Sequence, residues 1–386
     1  MNNQHKNKAY SSEYQIVPYS SEHLSQVARL MKYLWSNDIE LNLKYFKWKH
    51  ADNPCTEHPL GMVALHDGNV VGFRAYFALK YRIGEGNEFI LLIPGDTVVH
   101  SKHRRKGLSV AMGRRATAEY ESKYRAFLNF TSNANSLPGY INLGFFPLAS
   151  KIPLVIFSKD KGLEDLMPSK LKKYARKYRR HGFNQLVSAI RKISTFRKEK
   201  SPFGEFGNII VSDSPKPEEM YRVIIKQSQE NKKIELLKDE DFFRWRFLNM
   251  NNKYIFYYYR SGGSITGYLV ISIPPQKIQR GKILDYAQYD NEALEKILDY
   301  IIESGYPKTL SVLSFGLNEN LIQALKRLNL YESVLSQKEK EHDSGELQLL
   351  VRPVKEKLDE SDWFIDVMDI RNFENWEIMP ICSDGE

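Results

Sequence analysis

Apolar and polar residues fall into short blocks over the first 158 residues, and these blocks predict a mixed α/β domain. Residues 14–18 are predicted as a strand, and residues 23–35 repeat apolar positions at helical spacing. Two apolar hairpins are predicted next, over 61–77 and 81–99, with turns at Asp67-Gly68 and Gly84-Glu85-Gly86. The remaining elements predicted in this block are a helix over 107–123 and strands over 127–130 and 154–158.

The chain from residue 209 onward repeats this kind of pattern. The motif Tyr45-Phe46-Lys47-Trp48-Lys49 is echoed by Phe242-Phe243-Arg244-Trp245-Arg246, and each copy precedes an apolar hairpin. Later apolar blocks predict strands over 283–287, 309–314 and 347–352 and helices over 292–304 and 319–329. Repetition of one order of elements predicts that the second half is another copy of the same fold.

Length and composition agree with two domains. A chain of 386 residues exceeds one average domain, and no run of 18 apolar residues predicts a transmembrane helix. The polar N-terminus lacks the apolar core of a secretory signal. Cys55 and Cys382 lack the spacing of a metal or redox pair and suit a reducing cytoplasm. The predicted organisation is a flexible tail over 1–13, domains over 14–158 and 206–386, and a connector over 159–205.

The formal net charge of +9 is concentrated in the connector. Residues 159–200 hold 14 Lys and Arg against 4 Asp and Glu. Leu171, Tyr174 and Tyr178 form an apolar stripe there, so one interpretation is a helix that packs on a domain. The other is contact with an anionic membrane or polymer. No recognised nucleic-acid module accompanies the segment, so specific nucleic-acid binding is not expected.

A basic turn follows the second hairpin of the first domain and predicts an anion site. Arg104, Arg105 and Lys106 precede Gly107, where the apolar spacing of a helix begins. The free N–H groups and the dipole of a first helical turn attract phosphate, and Gly107 lets the backbone approach it. An ordinary basic turn before a surface helix is the alternative interpretation.

Two motifs around this turn resemble the GNAT N-acetyltransferase superfamily. Arg104-Arg105-Lys106-Gly107-Leu108-Ser109 resembles its loop Arg/Gln-x-x-Gly-x-Gly/Ala, with Ser109 in place of the last small residue. The preceding Val98-Val99-His100-Ser101 resembles its strand end, with Ser101 in place of Pro. Residues 133–145, from Asn133 through Tyr140 to Phe145, resemble the segment that follows the next strand of the family. The resemblance covers roughly residues 13–158.

The resemblance implies a fold, a cofactor and roles for individual residues. The implied fold is a mixed central β-sheet flanked by helices, in which acetyl-CoA lies across a splay between two parallel strands. Tyr140 is then expected as the general acid beside the sulfur, and Asp96 or else His100 as the base. No metal is expected. The residues expected to bind the cofactor are Val98, Val99, Arg104, Arg105, Lys106, Gly107, Leu108, Ser109 and Asn133.

The second half departs from the family at the equivalent loop. Residues 288–292, Gln-Tyr-Asp-Asn-Glu, contain neither Gly nor a base but hold two acids. A pyrophosphate would be repelled there. The second copy is therefore predicted to be degenerate and to bind no cofactor.

Three functions remain open at this point. The leading expectation is an N-acetyltransferase that moves the acetyl group of acetyl-CoA to a small-molecule amine by direct attack in a ternary complex. Two-copy relatives of this kind, which the last residues from Trp363 loosely resemble, are associated with amino sugars or sugar nucleotides of surface polysaccharides. The alternatives are an aminoacyl or long-chain acyl transferase at a membrane, and a non-catalytic acyl-CoA-binding scaffold. The expected location is the cytoplasm, peripheral to the inner face of the membrane.

Overall fold

A computed structural model describes most of the chain outside the basic connector. The described residues are 13–84, 86–132, 135–149, 154–158, 203–227, 233–249, 252–273, 280–307, 309–313, 316–328, 330–334 and 348–382. The predictions for the tail over 1–12 and for the basic segment over 159–200 lie outside these residues.

The elements of the first half follow the order that the sequence predicts. The strands are β1 Gln15–Pro18, β2 Leu60–His66, β3 Asn69–Ile83, β4 Asn87–Val99, β5 Ala126–Ser132, β6 Phe146–Ala149 and β7 Leu154–Ser158. The helices are α1 Leu24–Leu30, α2 Ile39–Phe46, α3 Leu108–Tyr120 and α4 Leu137–Asn142, and a π-helical turn, Lys47–Ala51, follows α2.

The second half contributes twelve further described strands and four described helices. The strands are β8 Gly204–Phe206, β9 Ile209–Ser212, β10 Ile234–Leu236, β11 Lys253–Ser261, β12 Ser264–Ile273, β13 Arg280–Gln288, β14 Thr309–Leu313, β15 Tyr331–Val334, β16 Gln348–Pro353, β17 Phe364–Ile365, β18 Met368–Asp369 and β19 Trp376–Glu377. The helices are α5 Pro217–Gln227, α6 Glu240–Arg246, α7 Ala293–Ser304 and α8 Glu319–Arg327. None of the described helices combines the length and the apolar character that crossing a membrane requires.

The chain forms two compact units, each built on its own mixed sheet. Unit 1 comprises Met1–Pro153, Pro215–Asn252 and Ser336–Glu386, and unit 2 comprises Leu154–Ser214 and Lys253–Leu335. The main sheet of unit 1 has the order β1-β2-β3-β4-β5-β16-β6, and the sheet of unit 2 has the order β8-β9-β11-β12-β13-β14-β7-β15. The predicted α/β class, with mixed central sheets flanked by helices, is confirmed.

The two sheets share one topology apart from the extra edge strand β8. Along each path the neighbours pair antiparallel, except for one parallel pair, β4 with β5 in unit 1 and β13 with β14 in unit 2. In both units a helix connects the two parallel strands, α3 in the first and α7 in the second. Helix α3 packs against β2 and β3, and α7 packs against β11 and β12, so each connecting helix covers strands of its own sheet.

The closing strands of the two sheets are exchanged relative to the sequence-based prediction. The strand over 154–158, assigned to the first domain, pairs with β14 and β15 in unit 2. The strand predicted over 347–352, assigned to the second domain, is β16 and pairs with β5 and β6 in unit 1. Short apolar strands carry no signal for a distant partner, since β-pairing depends on contacts that are remote in sequence. The assignment of these two strands is therefore corrected.

Apolar side chains cover both faces of the unit 1 sheet. On one face α3 and α4 pack through Leu108, Met112, Ala116 and Leu143 against sheet residues such as Tyr76 and Ala78. On the other face α1 and α2 pack through Val27, Leu30, Met31 and Phe46 against Phe73, Ala75 and Val98. Strand β3 alternates between these faces, so Arg74 points toward α3 while its neighbours point toward α1.

The motif that is repeated in the two halves contacts its own echo within unit 1. Trp48 donates its indole N–H to the carbonyl oxygen of Trp245 at 2.8 Å, and Trp245 donates to that of Trp48 at 2.7 Å. The two rings stack with centroids 5.9 Å apart and planes at 18°. The sequence repeat is thus matched by a reciprocal contact.

Candidate functional site

The parallel strands β4 and β5 separate toward their carboxyl ends. They pair only at Leu91 with Ala126 and at Leu92 with Phe127, although β4 continues to Val99 and β5 to Ser132. Backbone groups of β4 that face β5 beyond Leu92 are therefore not used in this pairing. Such a gap exposes peptide donors and acceptors to an extended ligand.

A bulge at the same end of β4 sharpens this separation. The register between β3 and β4 shifts between Phe73 and Ala75, which pair with Val98 and Gly95. Asp96 lies in the bulge with φ of 44°, in the left-handed region that non-glycine residues seldom adopt. A backbone of this kind persists only where its surroundings hold it.

The loop after β4 ends in a helix start without a side-chain cap. Gly107 is the N-cap of α3 and has φ of 75°. Its carbonyl accepts the N–H groups of Val110 and Ala111. Among the described residues, no side chain accepts the N–H groups of Leu108 and Ser109. The first turn of α3 therefore presents open amides and the positive end of a helix dipole.

The basic residues that the sequence predicts for the anion site lie directly before this helix start. Arg104, Arg105, Lys106 and Gly107 are all exposed. Arg104 donates Nε to the carbonyl oxygen of Val99 at 3.1 Å, and Lys106 lies 3.8 Å from the Glu13 carboxylate. The cluster of basic residues and the open amides suit a doubly charged phosphate ligand.

Tyr140 is buried at the other end of this region, next to a cation that the sequence interpretation missed. Its ring makes an edge contact with Phe145, with centroids 5.0 Å apart, and lies 4.8 Å from the guanidinium of Arg74. Arg74 also donates Nη1 to Ser109 Oγ at 3.3 Å. The structure therefore brings Tyr140 and Ser109 together through Arg74.

Asp96 lies on the opposite face of the sheet, inside a polar cluster. Lys49 Nζ is 2.5 Å from Asp96 Oδ2, His50 Nε2 is 3.2 Å from the same oxygen, and Trp35 Nε1 donates to Oδ1 at 3.1 Å. Burial alone would raise the pKa of Asp96, but Lys49 and His50 lower it to about 2. A carboxylate that is so stabilised as an anion is a weak base, which argues against the expected role of Asp96 as proton acceptor.

The alternative base, His100, lies where β4 passes into the loop. Its backbone N–H bonds to Val71 at 2.8 Å, and its ring contacts Tyr33 and His103 with centroids 5.4 and 5.7 Å apart. His103 in turn bonds to the Tyr14 hydroxyl at 2.9 Å. His100 thus belongs to a group of rings beside the loop.

The remaining residues that were predicted to bind the cofactor lie in different surroundings. Val98 is buried against α1, and Val99 packs partly against the α3 side. Asn133 lies outside the described residues. Among the residues that the structure describes, no group of three or more His, Cys, Asp or Glu is placed to hold a metal ion.

Comparison with known proteins identifies the fold. No family description and no curated protein matches the chain. Among solved structures, the GCN5-related N-acetyltransferase from Anabaena variabilis matches with a TM-score of 0.57 at 11% identity, over 89% of this chain and 73% of that one. A GCN5-related N-acetyltransferase from Kribbella flavida matches with a TM-score of 0.53 at 9% identity, over 88% and 71% of the two chains. A conserved protein from Enterococcus faecalis, described as a probable N-acyltransferase, matches with a TM-score of 0.52 at 12% identity, over 89% and 72%.

The chain has the GNAT fold. At these identities the likeness establishes the fold and leaves the reaction to be argued from the site. The gap between β4 and β5, the bulge of β4 and the uncapped start of α3 all lie at or directly after the carboxyl end of β4.

Sequence reasoning missed three buried residues with ionisable side chains, Lys49, His50 and Arg74. A signal for Arg74 was present, because it is the lone charged residue between Val70 and Leu79 in a strongly apolar strand. Buried charges in such positions are rare and point to a partner or a function. Lys49 and His50 carried less signal, since they follow an aromatic motif at an apparent helix end.

Proposed function

We propose that unit 1 binds acetyl-CoA between β4 and β5 and transfers its acetyl group to a primary amine. The observation that carries this proposal is the gap between two parallel strands that leads to the uncapped, glycine-containing start of α3. The pyrophosphate would accept hydrogen bonds from the open amides of Leu108 and Ser109 and would lie beside the basic side chains at 104–106. The pantetheine arm would bind along the free edge of β4, where Val98 and Val99 lie, and beside Asn133.

The reaction is direct attack within a ternary complex. The lone pair of the amine nitrogen forms a bond to the thioester carbonyl carbon, and the carbon–sulfur bond breaks. The sulfur leaves as a thiolate and takes a proton from the hydroxyl of Tyr140. Positioning of the two substrates and stabilisation of the developing charges supply most of the acceleration in such a transfer.

The attacking amine must also lose a proton. Asp96, whose pKa is lowered to about 2, would be a weak proton acceptor. His100, the second candidate from the sequence, is therefore the preferred general base in this proposal. Asp96 then acts by holding the bulge of β4 through Lys49 and Trp35.

We further propose that unit 2 is a degenerate copy that binds no acetyl-CoA. Support comes from the shared topology of the two sheets and from the acidic stretch at 288–292, which replaces the basic loop. One acetyl-CoA should therefore bind per chain. The proposed acceptor is a small amine such as an amino sugar or sugar nucleotide of surface polysaccharide synthesis, in the cytoplasm.

A titration and a transfer assay together test the proposal. Isothermal titration with acetyl-CoA should give one site per chain, and Arg105→Glu should weaken binding while Lys123→Glu, an exposed base outside the loop, should not. Thiol release is then followed with a panel of amines that includes amino sugars and with acyl-CoA donors of increasing length. Binding without any thiol release would favour an acyl-CoA-binding scaffold, and preference for long donors would favour a long-chain acyltransferase. Absence of binding would overturn the proposal.

A further inference from the structure

Arg74 is a buried cation at the centre of the β3 strand. Its side chain is 3% exposed. Nε donates to the Tyr76 hydroxyl at 2.8 Å, and Nη1 donates to Ser109 Oγ at 3.3 Å, next to the open start of α3. The guanidinium also lies over the Tyr140 ring, 4.8 Å from its centroid.

The partners of Arg74 are neutral. Within the described part of the chain, no carboxylate lies within ion-pair distance of its guanidinium, and its contacts are two phenols and the oxygens of Ser109. Burial alone would lower the pKa of Arg74, but the hydroxyls of Tyr140 and Tyr76 raise it overall. The group therefore stays charged, although leaving a buried charge without an opposite charge costs several kcal/mol.

A buried cation without an opposite charge can stabilise a negative charge that develops during a reaction step. Two sources of positive potential converge here, the guanidinium of Arg74 and the N-terminus of α3, and Ser109 connects them. Tyr140 contacts Arg74 and belongs to the same apolar cluster as Leu92 and Phe127, the pair after which β4 and β5 separate. Charge that develops near the Tyr140 hydroxyl would be stabilised without any rearrangement of the protein.

We propose that Arg74 is a positioning residue for departure of the thiolate, acting through Tyr140. It orients the phenol and stabilises the phenolate that remains when the hydroxyl proton passes to the sulfur. Tyr140 then regains a proton from solvent, and the new amide nitrogen loses one, so the step is balanced. This inference rests on the proposed acetyl transfer, because it concerns the leaving group of that reaction.

Kinetics of the full-length chain test the inference. Arg74→Met should lower kcat about 100-fold and change KM for acetyl-CoA less than about threefold. Tyr120→Phe, which removes a buried hydroxyl that donates to the carbonyl oxygen of Gly61 and not to Arg74, should retain kcat within about threefold. In the double variant of Arg74→Met with Tyr140→Phe, kcat should equal that of Tyr140→Phe alone, because both act on one step.

A second readout does not depend on turnover. Thiols ionise near pH 8 to 9, so binding of free CoA to the wild-type chain should strengthen between pH 7 and pH 9. Arg74→Met, or Arg74→Gln if the Met variant does not fold, should remove that dependence. Arg74→Lys should retain part of it.

The outcomes separate the inference from the function on which it rests. A wild-type chain without transfer activity would refute the proposed function. An active wild type with an equally active Arg74→Met variant would refute the inference alone. The inference would also be overturned if the effects of the two single variants multiplied in the double variant.

Discussion

The two units place a helix after equivalent strands of one topology but start that helix differently. In unit 1, α3 begins after Gly107, and no described side chain accepts the N–H groups of its first two residues. In unit 2, α7 begins with its amides occupied, because Gln288 Oε1 accepts the N–H of Leu294 at 2.9 Å. Asp290 accepts the N–H of Glu292 at 3.1 Å, so the turn is also acidic.

Packing reinforces this difference. A Cβ on Gly267 would lie 2.4 Å from the Cβ of Ala293, so the start of α7 is packed directly onto β12. At the corresponding place in unit 1, a Cβ on Gly72 would lie 3.1 Å from the Cβ of Ala64 on the neighbouring strand β2, and its nearest contact with α3 would be the flexible end of Met112 at 3.3 Å. The comparison shows that the topology supplies a helix start facing a strand end, whereas the loop decides whether its amides remain available to a ligand.

An aspartate on each of the equivalent strands β4 and β13 shows a second contrast. Asp96 of β4 pairs with the ammonium of Lys49, whereas Asp285 of β13 accepts a hydrogen bond from the Tyr268 hydroxyl at 2.7 Å. An ion pair between two buried charges and a hydrogen bond from a neutral hydroxyl respond differently to removal of one partner.

The largest expected effect comes from removing the exchanged strand. A chain that ends at residue 335 retains everything that the sequence pattern assigns to the first domain but lacks β16, which lies between β5 and β6. We expect this chain to lose the part of the near-ultraviolet circular dichroism that comes from the packed core of unit 1, and all acetyl-CoA binding. Binding at full affinity would contradict the observed strand order.

The second expected effect concerns the loop of unit 1. Gly107→Glu places a side chain and a negative charge at the N-cap of α3, where φ is 75°. Affinity for acetyl-CoA should fall at least about 100-fold, by repulsion of the pyrophosphate and loss of the close backbone approach. Titration calorimetry measures this loss.

Two controls separate charge from backbone strain in that variant. Gly107→Asn tolerates the left-handed conformation and adds no charge, so it should retain most of the affinity. Gly262→Glu, at a positive-φ glycine of unit 2 with φ of 56°, should leave binding unchanged. Equal affinity of a folded Gly107→Glu variant would break the contrast between the two helix starts.

Much of the fold could be predicted because its signals are local. Asp67-Gly68 and Gly262-Gly263 mark hairpin turns, and Gly107 marks the start of α3. The partners of β7 and β16 could not be predicted, because each is a short apolar strand that pairs far away in sequence.

The candidate site was predictable to a similar extent. The basic loop and Tyr140 were predicted from their resemblance to family motifs, whereas Lys49 and Arg74 come close to the residues of the predicted site only by packing of separate elements. A residue that acts across the sheet leaves no periodic pattern in its own segment. The ion pair of Asp96 was missed for the same reason, and the role predicted for that residue is the one that the structure disfavours.

The third expected effect tests the contrast between Asp96 and Asp285. Asp96→Asn removes the carboxylate that pairs with the buried ammonium of Lys49 and should lower the free energy of unfolding by about 3 kcal/mol at pH 7. Asp285→Asn, which keeps a hydrogen-bond acceptor for Tyr268, should lower it by about 1 kcal/mol. Urea denaturation measures both values, and an equal loss in the two variants would remove the distinction.

The same ion pair gives stability a defined dependence on acid. The pKa of Asp96 is lowered from 3.8 to about 2, so its contribution is complete above about pH 4 and is lost as pH falls toward 2. The shift corresponds to about 2 kcal/mol. In Asp96→Asn this loss of stability between about pH 4 and pH 2 should disappear. Asp285→Asn should show the same loss as the wild-type chain.

The smallest expected effect concerns the helix start of unit 2. Gln288→Met keeps the volume of the side chain but removes the oxygen that accepts the N–H of Leu294. The free energy of unfolding should fall by about 1 kcal/mol, as for loss of a helix cap, while acetyl-CoA binding stays unchanged. Arg260→Met, which removes an exposed ion pair with Glu205 in the same unit, is the matched control and should cost less. If calorimetric titration instead showed a second acetyl-CoA site in Gln288→Met, the two units would differ in binding only because the first-turn amides of α7 are already hydrogen-bonded. The acids at 290 and 292 would then have no effect on binding. We expect no second site, because the turn remains acidic and Gly267 remains closed by Ala293.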